Sequence, residues 1–364
     1  MILSKIASIV FYLVIFCLTF FFAFLRKKTD KKIFGFLCVL VPAISIALRF
    51  GVGTDSAAYI EMFDNVASED YSSSLLRIQT LSMEPTAIFL IKILHHFAYG
   101  YFAYFFAYSL LTFSFLYIFS RKLDSRNWWL LFGSIVMIMT PYCINGMRQA
   151  AAVSVFSVLL VNVFQNPRKL LKNTLLLALT ISLHFSAALL IPVLIVVLAA
   201  KRFGLKKCAT VIIALSLITL LIFPKAITFL LESGIMPYKY AITLAVYEGS
   251  IANFDFIIFF ALSALLLLTR KFTKQGEEKL SDFTTIVIIC NLFYAGLGFY
   301  SAYIGRMSDY FWPMATFGIW LGIDRFKDNP TFKRVLYIAT LACYFILVYI
   351  VMGNSEIIPF RFLS

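Results

Sequence analysis

Residues 128–164 read WWLLFGSIVMIMTPYCINGMRQAAAVSVFSVLLVNVF, two apolar runs joined at Asn145-Gly146, with Arg148 as the one charged side chain. Each run approaches the roughly 20 residues that an α-helix needs to cross the hydrocarbon of a bilayer. An arginine at the bilayer centre costs about 2.5–3.5 kcal/mol on the insertion scale. A turn between two spans avoids most of that cost by placing the guanidinium at a membrane face. The stretch therefore predicts a transmembrane hairpin, Trp128 to Tyr142 paired with Gln149 to Phe164.

The same pattern repeats in both directions. Of 364 residues, 62% are hydrophobic and only 14% charged, where a soluble domain carries about 25% charge. The chain predicts an all-α polytopic membrane protein, 1–364 as a single transmembrane domain. Its net charge of +14 sits in short clusters between apolar runs, which reads as a topology signal and excludes a nucleic-acid partner. Six cysteines fall in or beside apolar runs without C-x-x-C spacing, so neither a disulfide framework nor a zinc site is expected. Ile6 to Leu25 has no basic flank before it and no small-residue cleavage site after it, and reads as a retained first span.

By the positive-inside rule, the clusters around 26–32, 121–126, 168–172, 201–207, 270–274 and 325–334 face the cytoplasm. The interval between 173 and 200 needs an even number of crossings. It is therefore expected to hold two short segments, a hairpin or re-entrant turn near His184, rather than one long helix. This arrangement gives about 12 membrane segments with both termini outside, and puts 23 of the 32 basic residues inside and 9 outside. The outer side then holds 11 of the 18 acids and two long loops. Outer loop 1, 49–99, contains a helix opened by Glu84-Pro85 and lying in the interface. Outer loop 2, 225–253, is a candidate lid.

Five short motifs collect on that outer side: R-F-G-V-G-T-D (49–55), E-P (84–85), N-G-M-R-Q (145–149), L-H-F-S-A (183–187) and R-M-S-D-Y-F (306–311). Arginines suit phosphate because a guanidinium offers a planar fork of donors, and Arg148 stands beside a helix N-terminus. A snorkelling Arg148, a solvated 49–55 loop, a Glu84 that is only a helix-start acid favoured by the dipole, a helix-bonding His184 and an Arg306–Asp309 ion pair are the competing structural readings. Walker A, H-E-x-x-H and D-x-D patterns are missing, which disfavours an ATPase, a zinc protease or a metal-dependent nucleotide-sugar enzyme.

In order and spacing these motifs resemble the EpsG-like branch of Wzy-type polysaccharide polymerases. Ser56 departs from that pattern, which usually continues with Tyr after the Asp; Tyr59 lies three residues later. The resemblance implies a metal-independent, GT-C-like glycosyltransferase of a bacterial inner membrane, with its active site on the periplasmic or extracellular side and no cofactor. Such an enzyme transfers a growing glycan from undecaprenyl diphosphate to the next lipid-linked repeat unit. The partners implied are that lipid-linked oligosaccharide, membrane lipid and a chain-length regulator. The diphosphate falls to Arg148 and Arg306, with Arg49 a third cation or a clamp on Asp55. Asp55 or Glu84 leads as general base, with His184 the rival; Tyr59, Gln149, Asp309 and Tyr310 are expected to contact substrate. An O-antigen-ligase-like enzyme with the same donor, or a flippase or transporter of lipid-linked oligosaccharide, are the alternatives.

Overall fold

The computed structural model describes residues 2–80, 82–97, 100–233, 254–325 and 329–362. The described chain is all-helical, with two isolated β-bridges, Ile2–Arg361 and Arg49–Phe362. It forms two compact units: residues 1–162, 168–188 and 334–364, and residues 163–167 and 189–333.

The first unit contains α1 (Lys5–Thr29), α2 (Lys32–Ala47), α3 (Ser56–Ser68), α4 (Tyr71–Gln79), α5 (Pro85–Leu94), α6 (Gly100–Leu123), α7 (Trp128–Asn145), most of α8 (Met147–Gln165) and α9 (Leu170–Leu183). The second contains α10 (Ile191–Phe203), α11 (Leu205–Glu232), α12 (Phe254–Leu268), α13 (Glu278–Leu297) and α14 (Trp312–Asp324). Helix α15 (Pro330–Phe345) begins in the second unit and continues into the first. Seven helical stretches among the described residues are long and apolar enough to cross a membrane, and four shorter apolar helices accompany them. The protein is an α-helical, multi-pass membrane protein.

Helix α1 shows the membrane pattern residue by residue. Its buried face mixes Ser8, Thr19, Ala23 and Arg26 with the large side chains Tyr12, Ile15 and Phe16. Its exposed face carries Val10, Leu13, Val14 and Phe21. That exposed apolar face suits lipid rather than water, and the small residues among the buried ones let neighbouring helices approach closely. The hydroxyls of Ser8 and Thr19 donate to carbonyls one turn back, at 2.8 Å each, so neither enters the helix contact unsatisfied. Ser4 caps the start, accepting from Ala7 N at 3.1 Å, and Arg26, Lys27 and Lys28 sit in the last turn, where the helix dipole favours cations. Helices α6 and α10 end on basic residues in the same way.

The hairpin read from the sequence is present: α7 ends at Asn145 and α8 starts at Met147. Both helices are 83% buried along their apolar windows, against 22% for the stretch Pro330–Val351. Among the described residues the hairpin is thus one of the most enclosed parts, and its one charge, Arg148, faces protein rather than lipid. Helix α9 stops at Leu183, His184 is extended (φ −158°, ψ 116°), and a 3-10 turn runs over Phe185–Leu190. The break falls where the sequence placed it. Helix α11 continues to Glu232, into the segment read as the second outer loop; residues 234–253, the rest of that candidate lid, lie outside the described residues, as do 98 and 99 at the end of the first.

Candidate functional site

The site is assembled in the first unit from helix ends. Glu84 precedes α5 in extended conformation (φ −72°, ψ 142°), with Pro85 in the first turn. Its carbonyl accepts from Ala87 N and Ile88 N, so the backbone serves the helix start and the carboxylate makes no capping bond. The side chain, 6% exposed, is left to point elsewhere. One oxygen, Oε2, accepts from Arg148 Nη1, and the other, Oε1, lies 2.6 Å from His184 Nδ1. Residues 64 and 100 positions away in sequence thus meet on one carboxylate.

Each partner reaches it for a local reason. Arg148 is in the first turn of α8, directly after the Gly146 turn. His184 stands at the end of α9, where the helix break turns its side chain out of the helical ladder. A bond from Thr86 Oγ1 to Ser182 Oγ, 2.9 Å, ties the start of α5 to the end of α9 and fixes their relative height. Tyr59 of α3 lies buried beneath the guanidinium, ring centroid 5.7 Å from Arg148 Cζ. Tyr104 and Tyr108, fully buried and packed edge to face at 5.2 Å, are further electrostatic neighbours of Arg148.

An ionised carboxylate only accepts hydrogen bonds, so the imidazole must donate through Nδ1–H; in the neutral ring the lone pair is then on Nε2. Burial works against the charge on Glu84, but the bond from His184 and the field of Arg148 outweigh it and hold the carboxyl below its usual range. Because the folded value is depressed, the stabilisation it brings is present at neutral pH and lost as pH falls through that folded value. Glu84→Gln is therefore expected to melt lower than the wild type near pH 7, with the gap closing toward about pH 4 and below. Thermal melts in detergent across that range would show it, and a constant gap would contradict it.

Arg49 takes a different place from the one expected of a diphosphate ligand. It is fully buried, with Nη1 donating to Ile46 O at 3.0 Å, Nη2 3.7 Å from Met147 Sδ, and Cζ 4.3 Å above the Phe105 ring. It forms no ion pair with Asp55. Asp55 opens α3, half exposed, with Thr54 Oγ1 donating to it at 3.2 Å. Gln149 is half-buried in the first turn of α8. In the second unit, Arg306 is exposed, Asp309 half-buried and Tyr310 buried in the 3-10 turn Arg306–Phe311, where Ser308 Oγ donates to Asp255 at 2.7 Å.

Of the two glycines in the 49–55 motif, Gly51 (φ +61°) has open space around it, while Gly53 has a packing reason. Gly53 has φ +89°, and a Cβ there would fall 2.3 Å from Asn145 Oδ1 and 2.7 Å from Ile144 Cγ2. Gly53→Ala is expected to cost about 1–3 kcal/mol of stability through the left-handed backbone and the clash. A lowered thermal midpoint of the purified variant would report it; an unchanged one would contradict it.

With this geometry in view, the comparison with known families is decisive. A model of the EpsG family matches residues 32–362, nearly the whole chain. The chain belongs to the EpsG family. That membership supports an EpsG-like polysaccharide polymerase, an enzyme of glycosyltransferase type. The match spans every helix from α2 to α15 and both units. No curated protein and no solved structure matches the chain.

Sequence reasoning had named Glu84, Arg148, His184 and Tyr59, without their mutual contacts. It missed Tyr104 and Tyr108, whose signal was two tyrosines four apart in an apolar helix, and the Thr86–Ser182 tie, whose hydroxyls carry no distinctive pattern.

Proposed function

We propose that this protein polymerises polysaccharide repeat units carried on undecaprenyl diphosphate, with the Glu84–His184–Arg148 cluster as its reacting centre. The observation that carries the reading is the single buried carboxylate shared between a guanidinium and an imidazole. A hydroxyl of the incoming unit attacks the anomeric carbon of the growing chain. The bond from that carbon to the diphosphate oxygen breaks, and its electrons leave with undecaprenyl diphosphate. Two groups are required: a cation for the departing charge and a base for the hydroxyl proton.

Arg148 gives one donor to Glu84 and, having five, keeps others for a phosphate. His184 is the base, taking the proton on Nε2, while Glu84 holds the ring through Nδ1–H and stabilises the imidazolium that forms. Glu84 itself, with both oxygens engaged and its charge favoured, is the poorer base. Asp55 forms no hydrogen bond or ion pair with Glu84, His184 or Arg148, though its backbone carbonyl accepts from Tyr59 N at 3.0 Å. Arg49, stacked on Phe105, holds the 49–55 loop and does not serve as a ligand. Arg306 is a further candidate cation, tested by Arg306→Ala.

The finer topology belongs to the same proposal: about twelve crossings of GT-C-like kind in a bacterial inner membrane, with the Arg148 turn and both termini outside. The basic last turns of α1, α6 and α10 support it. Purified protein given one lipid-linked repeat unit should produce a ladder of multiples. Product only when a second acceptor lipid is added would indicate a ligase, and movement across the bilayer at unchanged length a transporter; either would overturn the proposal.

A further inference from the structure

Asn145 stands outside the bonds of the Glu84 cluster, yet three segments of the chain meet on its carboxamide. Its Oδ1 accepts from Thr54 N at 2.8 Å and from Thr54 Oγ1 at 3.3 Å, while its Nδ2 donates to Ser355 O at 2.9 Å. Beside it, Gly53 N donates to Glu356 O at 3.2 Å. The C-terminal segment is itself held on the far side, by Tyr12 OH to Ile357 O at 3.0 Å, Phe360 N to Ser8 Oγ at 2.9 Å and Phe50 N to Arg361 O at 2.8 Å. Ser355 and Glu356 have φ of 73° and 47°, and these surrounding bonds hold them there.

The chemistry at this point demands an amide. An aspartate could accept from Thr54 but has no donor for Ser355 O, and a leucine offers neither. Glutamine carries an extra methylene, and the close approach of Gly53 leaves no room for it.

We infer that Asn145 is a positioning residue of the site, setting the turn that carries Arg148 against the loop that leads into Tyr59, with the C-terminal segment as the third strut. The inference rests on the reading of Arg148 as the diphosphate cation. Arg148 follows Asn145 by three residues and Tyr59 follows Thr54 by five. A shift at the carboxamide is therefore passed to both halves of the guanidinium–ring contact. A displacement of about 1 Å in such a group is enough to lose roughly 100-fold in rate.

The test uses the purified full-length protein in detergent with a lipid-linked repeat unit. Asn145→Leu is expected to lower kcat per folded molecule about 100-fold and the isosteric Asn145→Asp about 10-fold, with KM nearly unchanged. Amide exchange should accelerate in the tail, 353–357, in both variants, and at Gly53 and Thr54 in Asn145→Leu. Wild-type kcat in the leucine variant, or faster exchange confined to the 145–149 turn, would overturn the inference. Should Asn145→Leu fail to fold, Asn145→Asp decides alone by its tail exchange and kcat. Arg148→Ala measured alongside separates the two ideas: full activity there removes the diphosphate reading, while the exchange data still judge the strut.

Discussion

Arg148→Ala should lower polymerisation in isolated membranes by about 10²–10³-fold, equivalent to roughly 2.7–4 kcal/mol of transition-state stabilisation, the cost of losing one well-placed donor to a developing oxyanion. The loss has two parts. The departing diphosphate forfeits a charged fork, and Glu84, 6% exposed, is left with His184 as its one hydrogen-bonding side chain. The second part also changes the electrostatic setting of the imidazole. Arg148→Lys should restore charge to Glu84 but only part of the rate, because an ammonium cannot give one donor to Glu84 and a flat pair to phosphate at once. Wild-type chain length and rate in the alanine variant would end the assignment.

His184→Gln should lower kcat by about 10²–10⁴-fold, the range for loss of a general base. A glutamine can still donate to Glu84, so burial of the carboxylate is tolerated and the protein should fold; what it lacks is a basic nitrogen for the acceptor hydroxyl. Glu84→Gln should reduce the rate less, since the ring keeps its base and loses orientation and the charge opposite the imidazolium. Because His184 and Glu84 share one bond of 2.6 Å, the double variant should be no slower than His184→Gln by the full Glu84 factor. Single-turnover rates on a synthetic lipid-linked unit would measure all three. Losses that multiply in the double variant would show that the two side chains act separately.

The Glu84–Pro85 pair illustrates how much of the site was legible in advance. Pro85 announced a helix start, and the helix begins there. The preceding acid also suggested interaction with the helix dipole, whereas the backbone carbonyl of Glu84 serves the helix and its carboxylate turns to Arg148 and His184. The two readings share one local sequence and differ only in what lies across from it. Arg49 is a sharper case. A span-ending arginine before a glycine loop reads equally well as a ligand or a structural cation; the Ile46 carbonyl that it meets is local, but the Phe105 ring and Met147 sulfur against its guanidinium come from packing.

Composition and the spacing of charges were sufficient for helices, for the hairpin at Asn145-Gly146 and for the break at His184. Those features follow from local rules: the length of an apolar run, the cost of a charge in lipid, and the residues that end a helix. Which side chains share a carboxylate, and whether an arginine faces a ligand or a ring, depend on helix ends being brought together by contacts up to a hundred and more residues apart. Such contacts arise from side-chain shapes fitting in three dimensions, as Gly53 fits against Asn145, and only the tertiary structure decides them.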